Sequence, residues 1–293
     1  MNLISDIIIS MKNTFAKTNF FGASSKPLIS DDALKIFACI TMLIDHLAMG
    51  LFAYLMHDGH FIPGLLAAEN IQVYHVLRHI GRTAFPIFCF LLVQGFFYTH
   101  SKKKYCLNLF LFALISEFFY DFALLSDKDY HSLSPLTLWT ANKEIYLDDQ
   151  NVYFTLLLGF ICVCACDFFR KKYLNTESSM IAKALTLLLC ALITLTCCLC
   201  AVFFKTDYSY KGVILIMIFY IFSSNRPLQL LVGYIFISLA NPAEAYAIFG
   251  FGLLSLSNGH RSQMAHKAKY AYYSFYPVHL CLIFLLRVFL LRN

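Results

Sequence analysis

Long apolar stretches limit this chain more than any other feature: Phe85 to Tyr98 carries no charge, and Ile181 to Phe204 carries only Lys183. Such runs approach or exceed the ~20 residues that cross the hydrocarbon layer of a bilayer as a helix. With 59% hydrophobic and 14% charged residues, the chain has too little polar surface to cover a soluble core. Strand-like alternation is missing, which argues against a membrane β-barrel. The fold class expected is all-α, a polytopic integral membrane helix bundle with about nine transmembrane helices, in a range of about eight to ten.

The candidate spans are 33–55, 81–99, 105–124, 151–170, 181–204, 211–224, 227–240, 244–257 and 270–291. Pro27, Pro63, Pro135 and Pro242 fall outside them and Pro227 at the first position of one, where a residue without an amide hydrogen does least damage. Residues 1–32 read as a cytoplasmic N-terminal segment, in which Leu3, Ile4, Ile7, Ile8, Met11 and Phe15 recur at the spacing of an interfacial helix. No removable signal peptide is expected. Residues 33–293 form one transmembrane domain, since no repeat or flexible linker divides them. The loop from 125 to 150, which holds Trp139, is the main extracytoplasmic feature.

The net charge of +6 does not mark a nucleic-acid binder, because the Lys and Arg residues form short clusters between apolar runs rather than a basic face. With the N-terminus inside, fifteen of the twenty-three positive residues fall on the inner side, among them Lys102, Lys103, Lys104, Arg170, Lys171 and Lys172. The outer side keeps Arg78, Arg82 and Arg287 and gathers Asp127, Asp129, Glu144, Asp148 and Asp149. The bias gives a multi-pass protein of the cell membrane, N-terminus cytoplasmic and C-terminus extracytoplasmic. Cys162, Cys164, Cys166, Cys197, Cys198 and Cys200 lie inside apolar runs, where cysteine acts as a small hydrophobe, so no metal or disulfide role is expected.

Asp45 and His46 sit near the middle of the first span. A charge there costs at least ~2.5–3.5 kcal/mol, so both must face the bundle interior or a wet cavity. Histidine titrates near neutrality and serves as a general base; alternatively the pair ties helices together by hydrogen bonds. Adjacent helical residues point about 100° apart, so Asp45 is free to serve another partner. Arg82 in the second span offers a guanidinium to Asp45 or to a carbonyl. Glu117 and Asp121 share one face of the third span and suggest a polar pocket. His279 follows Pro277, which frees a backbone carbonyl one turn back, within the aromatic string Tyr272, Tyr273, Phe275, Tyr276. No Walker loop, dinucleotide glycine motif, His-Glu-x-x-His or Gly-x-Ser-x-Gly is present.

A series of motifs spread over most of the chain resembles the TraX family, membrane proteins named for the enzyme that N-acetylates pilin in conjugative F-type systems. They are Leu34-Lys35-Ile36 running into Met42-Leu43-Ile44-Asp45-His46, Gly81-Arg82-Thr83-Ala84-Phe85-Pro86 with Gly95-Phe96, Asn151-Val152-Tyr153-Phe154-Thr155, Asp207-Tyr208-Ser209-Tyr210-Lys211-Gly212, and Phe275-Tyr276-Pro277-Val278-His279. The resemblance implies a bacterial inner-membrane acetyltransferase, distantly similar to acyltransferases that use cytosolic acetyl-CoA to modify acceptors at the outer face. It implies His46 as the base, with Asp45, Arg82 and His279 completing the catalytic group. Glu117, Asp121, Asn151, Tyr210 and Tyr276 would meet the acceptor, and Lys102, Lys103 and Lys104 the CoA phosphates. The acceptor would be a pilin-like protein or an envelope glycan, carrying an amine or a hydroxyl. Two other classes stay open from the residues alone. One is a secondary transporter or channel that uses the same buried Asp, His, Glu and Arg. The other is a noncatalytic membrane component of an assembly machine.

Overall fold

The computed structural model describes residues 29–129, 131–146, 148–174, 179–257 and 269–291. The proposed interfacial helix at the N-terminus lies outside them, as do the basic residues Arg261 and Lys267.

Among the described residues six helices are long and apolar enough to cross a membrane, and three shorter apolar helices join them. The order is α1 (Asp31–His57), α2 (Ala67–Gly81), α3 (Ala84–Tyr98), α4 (Lys102–Leu125), the short α5 (Pro135–Asn142), α6 (Val152–Tyr173), α7 (Met180–Phe203), α8 (Ser209–Ile221), α9 (Arg226–Ala240), α10 (Pro242–Leu256) and α11 (Lys269–Leu291). Counting α2 and α3 as one crossing and leaving out the eight-residue α5 gives the nine expected spans, most of whose ends fall within a few residues of the sequence expectation. The polytopic helical class therefore holds. Its cause is that lipid offers the backbone no hydrogen bonds, so each crossing must satisfy its own. Several helices start on a side chain that accepts from the first turn: Ser30 from Ala33, Ser101 from Lys104, Ser179 from Ala182 and Asn225 from Leu228.

The second span departs from expectation. Residues 67–80, read as outer loop, are helical, and with α3 they make a 32-residue element that would measure about 48 Å if straight. That exceeds the ~30 Å hydrocarbon thickness, and the element is broken at Arg82 and Thr83. Hydropathy hides α2 because Glu69, Arg78 and two histidines interrupt it. The Glu69 carboxylate nevertheless caps it by accepting from the Leu66 amide at 2.7 Å.

Contacts between distant segments fix the helix directions. Ile29 bridges Ser257 and Lys102 meets Asp167 at 3.2 Å at one end; Gln150 bridges Thr206 and Arg287 meets α4 at the other. The first end collects Lys35, Lys102 to Lys104, Arg170 to Lys172 and Arg226, and is called the basic end below. Helix α3 is the hub, packed by α1, α6, α8 and α10, with most of its residues buried. Helix α7 lies at the periphery with only Thr186, Cys197, Cys198 and Ala201 buried. All eleven cysteines are free.

Two π-helical turns lie side by side, Ala48–Phe52 in α1 and Asp121–Leu125 at the end of α4. A helix end leaves carbonyls without partners, and Arg287, 0% exposed, supplies them by donating to Phe122 O at 2.6 Å and Ala123 O at 3.1 Å. Gly50 lets the two turns touch, since a Cβ there would stand 2.8 Å from Ala123 O.

Candidate functional site

The centre of the bundle holds a cavity of about 240 Å³ whose lining includes Asp45, His46, Arg78, Arg82, Phe88, Tyr120, Asp149, Asp207, Tyr208 and Tyr276. Helix α1 supplies His46 two residues before its π-helical segment, and π turns often accompany functional sites. Helix α11 supplies His279 behind it, with Nε2 2.6 Å from His46 Nδ1. His279 Nδ1 lies 2.7 Å from the Phe275 carbonyl.

That carbonyl only accepts, so His279 Nδ1 carries a proton; a neutral His279 then accepts at Nε2, and His46 must donate from Nδ1. His46 Nε2 is left as the lone-pair nitrogen, on a ring that lines the cavity while His279 stands behind it. This is the logic of any oriented histidine base, in which a hydrogen bond to one ring nitrogen sets the task of the other. Tyr276 packs edge-on to both imidazoles, with centroids 5.6 Å and 5.5 Å away, and its hydroxyl has no partner among the described residues. The carbonyl that Pro277 frees, that of Tyr273, accepts from the Tyr153 hydroxyl at 3.1 Å.

Asp45 does not meet Arg82. It accepts from Arg78 at 2.6 Å, the residue misread as a loop cation, while its Oδ1 finds no partner among the described residues. Arg82 instead donates to Glu244 at 3.3 Å and to the Tyr208 hydroxyl at 3.4 Å. Burial pushes the Asp207 carboxyl up to about 6, against the pull of the Arg82 guanidinium. Tyr208 adopts a left-handed backbone at φ 61°, and its ring stacks on Phe85 at 3.5 Å between centroids.

Gly81 is the joint that admits Asp45. A Cβ there would stand 2.2 Å to 2.4 Å from the Asp45 Cβ, Oδ1 and Cγ. Gly81→Ala should therefore push the carboxylate away from Arg78 and destabilise the protein by about 1–3 kcal/mol, as overpacking does. Gly252→Ala is the matched control, since nothing lies within 4 Å of a Cβ there; its unfolding in mixed detergent should be unchanged or slightly harder. Equal behaviour of the two variants would refute the account of the joint.

Of the residues singled out from sequence, Asp45, His46, Arg82 and Tyr276 line the central cavity and His279 backs it. Glu117 and Asn151 lie elsewhere and bind each other. Glu117 Oε2 accepts from the Asn151 amide at 2.9 Å and from its side chain at 2.5 Å, which fixes the start of α6. Asp121 is buried where α4 turns π-helical, and half-exposed Tyr210 lines neither the central cavity nor the two that adjoin it. Lys102 pairs with Asp167 and covers the Phe96 ring at 3.7 Å, while Lys103 and Lys104 are exposed at the helix start. Sequence reading passed over Arg78, Asp207, Tyr208 and Glu244 as individual site residues. Arg78 stands four residues before Arg82, on the same face if the helix is recognised, and Glu244 is an acid inside an apolar segment, a signal of its own.

Two more cavities adjoin the central one. Toward the basic end, one of about 150 Å³ is lined by Asp31, Lys35, Gln94, Tyr98, Tyr105, Tyr153 and Tyr273 and shares Phe88 with the centre. Toward the opposite end, one of about 230 Å³ shares Arg82, Asp207 and Tyr208 and adds Lys211, Asn241 and Glu244.

The family model described as TraX protein matches residues 30–287. A curated relative, the "Probable fimbrial assembly protein FimC, serogroup H1" of Dichelobacter nodosus, is 29% identical over 130 residues, which is 44% of this chain and 43% of that protein. The chain thus matches less than half the length of that relative. No solved structure matches this chain.

Proposed function

The chain belongs to the TraX family, and from that premise we propose that it is a membrane acetyltransferase moving an acetyl group from cytosolic acetyl-CoA to an amine or hydroxyl acceptor on the far side of the membrane. The observation that carries the reading is the His46 imidazole, held by His279 in one tautomer on the wall of a central cavity that meets a second cavity from the basic end at Phe88. By the bias of positive charge, the basic end is the cytoplasmic one.

In the proposed reaction the acceptor proton passes to His46 Nε2 as the nitrogen or oxygen attacks the acetyl carbonyl. The carbon–sulfur bond then breaks, and the imidazolium returns the proton to the departing CoA thiolate. Its positive charge is steadied through Nδ1–H to His279 and by the Asp45 carboxylate nearby. Arg82, held by the long contacts to Glu244 and Tyr208, is the donor for the developing oxyanion. A pilin-type or fimbrial acceptor is supported by a relative described as a probable fimbrial assembly protein.

The proposal is tested by unfolding purified protein with and without acetyl-CoA. A ligand bound only by the native state at 100 times its dissociation constant adds ~2.7 kcal/mol, so a raised midpoint is expected, and no rise at millimolar acetyl-CoA would sink the reading. The row of three cavities sharing Phe88 and Arg82 also favours a second reading, a transporter. That reading requires solute or proton flux in liposomes without any CoA, which the acetyltransferase reading excludes.

A further inference from the structure

We infer that the cavity at the basic end seats a neutral, extended chain bearing secondary amides, the pantetheine arm of a CoA thioester, and that Gln94 binds one of its amide N–H groups. This rests on the acetyltransferase reading and gives its donor a place.

Gln94 lines this cavity, is 4% exposed, and its Oε1 accepts no hydrogen bond from any described group. A buried amide oxygen left so is costly unless a ligand supplies a donor. The rest of the wall is mostly aromatic and aliphatic, and its charged members Asp31 and Lys35 lie in the first turns of α1, at the basic end. A charged ligand deep inside would go unpaired, and a plain hydrocarbon chain would leave Gln94 unsatisfied. An amide-bearing chain meets both requirements.

Length agrees. Tyr98 marks the mouth and Phe88 the inner wall, ten residues apart on α3, which is about 15 Å at the helical rise. The pantetheine arm is roughly four residue-lengths of extended chain, or about 14 Å. An arm entering past Lys35 and Tyr98 therefore brings its sulfur to Phe88, the side chain shared with the cavity that holds His46. Gln94 lies between, about 6 Å in from Tyr98 along α3.

The experiment measures dissociation constants of CoA and of 3′,5′-ADP, which lacks the arm, for the wild-type protein, Gln94→Met and Gln94→Leu. Met keeps the length of the side chain without the amide, and ligand-free thermal midpoints establish that each variant is folded. The expected result is about tenfold weaker CoA binding in either variant, with 3′,5′-ADP binding unchanged. CoA bound as tightly by the variants as by wild type would overturn the assignment of Gln94 and leave the acetyltransferase reading standing. Equal weakening for both ligands would mark Gln94 as merely structural and overturn it too. Wild-type protein that binds no CoA would remove the reading and this inference together.

Discussion

His46→Ala should lower transfer of labelled acetyl from acetyl-CoA by about 10²–10⁴-fold, the usual contribution of a positioned base, with the amount of protein in the membrane unchanged. His279→Ala should cost less, about 10–100-fold, because it removes the group that orients the base rather than the base itself. The reason lies in the 2.6 Å contact between the rings and the Phe275 carbonyl that fixes the His279 proton. Without His279 the His46 ring is free to rotate and to exchange tautomers, so that Nε2 is protonated part of the time and cannot accept. The double variant should be no worse than His46→Ala alone, since residues that act as a unit are non-additive. Losses that multiply in the double variant would refute the relay, and activity kept by His46→Ala would refute the base. If His46→Ala instead lowers protein abundance in step with activity, the histidine serves helix packing.

The second large effect concerns stability. Arg78→Ala leaves the Asp45 carboxylate without its cation inside the bundle. Truncating one partner of a buried ion pair costs about 3–5 kcal/mol. With the side chains 20% and 15% exposed toward the cavity, solvent screening moves the expectation to the low end, about 3 kcal/mol. Adding Asp45→Asn to Arg78→Ala should recover much of that loss, because the orphaned charge is then gone. Unfolding of the four proteins of this cycle in mixed detergent checks it. An Arg78→Ala variant as stable as wild type would show that the pair adds nothing, and a double variant worse than either single one would contradict the charge argument.

Much of the site was legible because a bilayer makes polarity informative. Asp45, His46, Arg82 and His279 stood out as costly groups in apolar segments, and the Pro277 argument foretold a free carbonyl that Tyr153 fills. The acids of the third span were equally visible, yet Glu117 serves the start of α6 instead of the cavity. Nothing local distinguishes a carboxylate that caps a helix from one that lines a pocket. Arg78 was missed for a different reason: α2 carries too many charged residues for a hydropathy window, so its helical face, and the placement of Arg78 opposite Asp45, stayed hidden. Gln94 was inconspicuous too, an uncharged residue in an apolar run, until a cavity appeared beside it.

By itself the sequence determined that the chain is a multi-pass helical bundle, and it located most span ends to within a few residues. Lipid withholds hydrogen bonds from the backbone, so apolar length alone dictates a helix. Only the tertiary structure decided which polar groups meet. His46 and His279 are 233 positions apart, and Asp45 and Arg78 are 33. Such pairings depend on how helices rotate and cross, which is set by packing at glycines such as Gly81 and Gly50 and by the turns around them. A linear pattern records which face of a helix is polar; the choice of partner is made only when several helices close around one cavity.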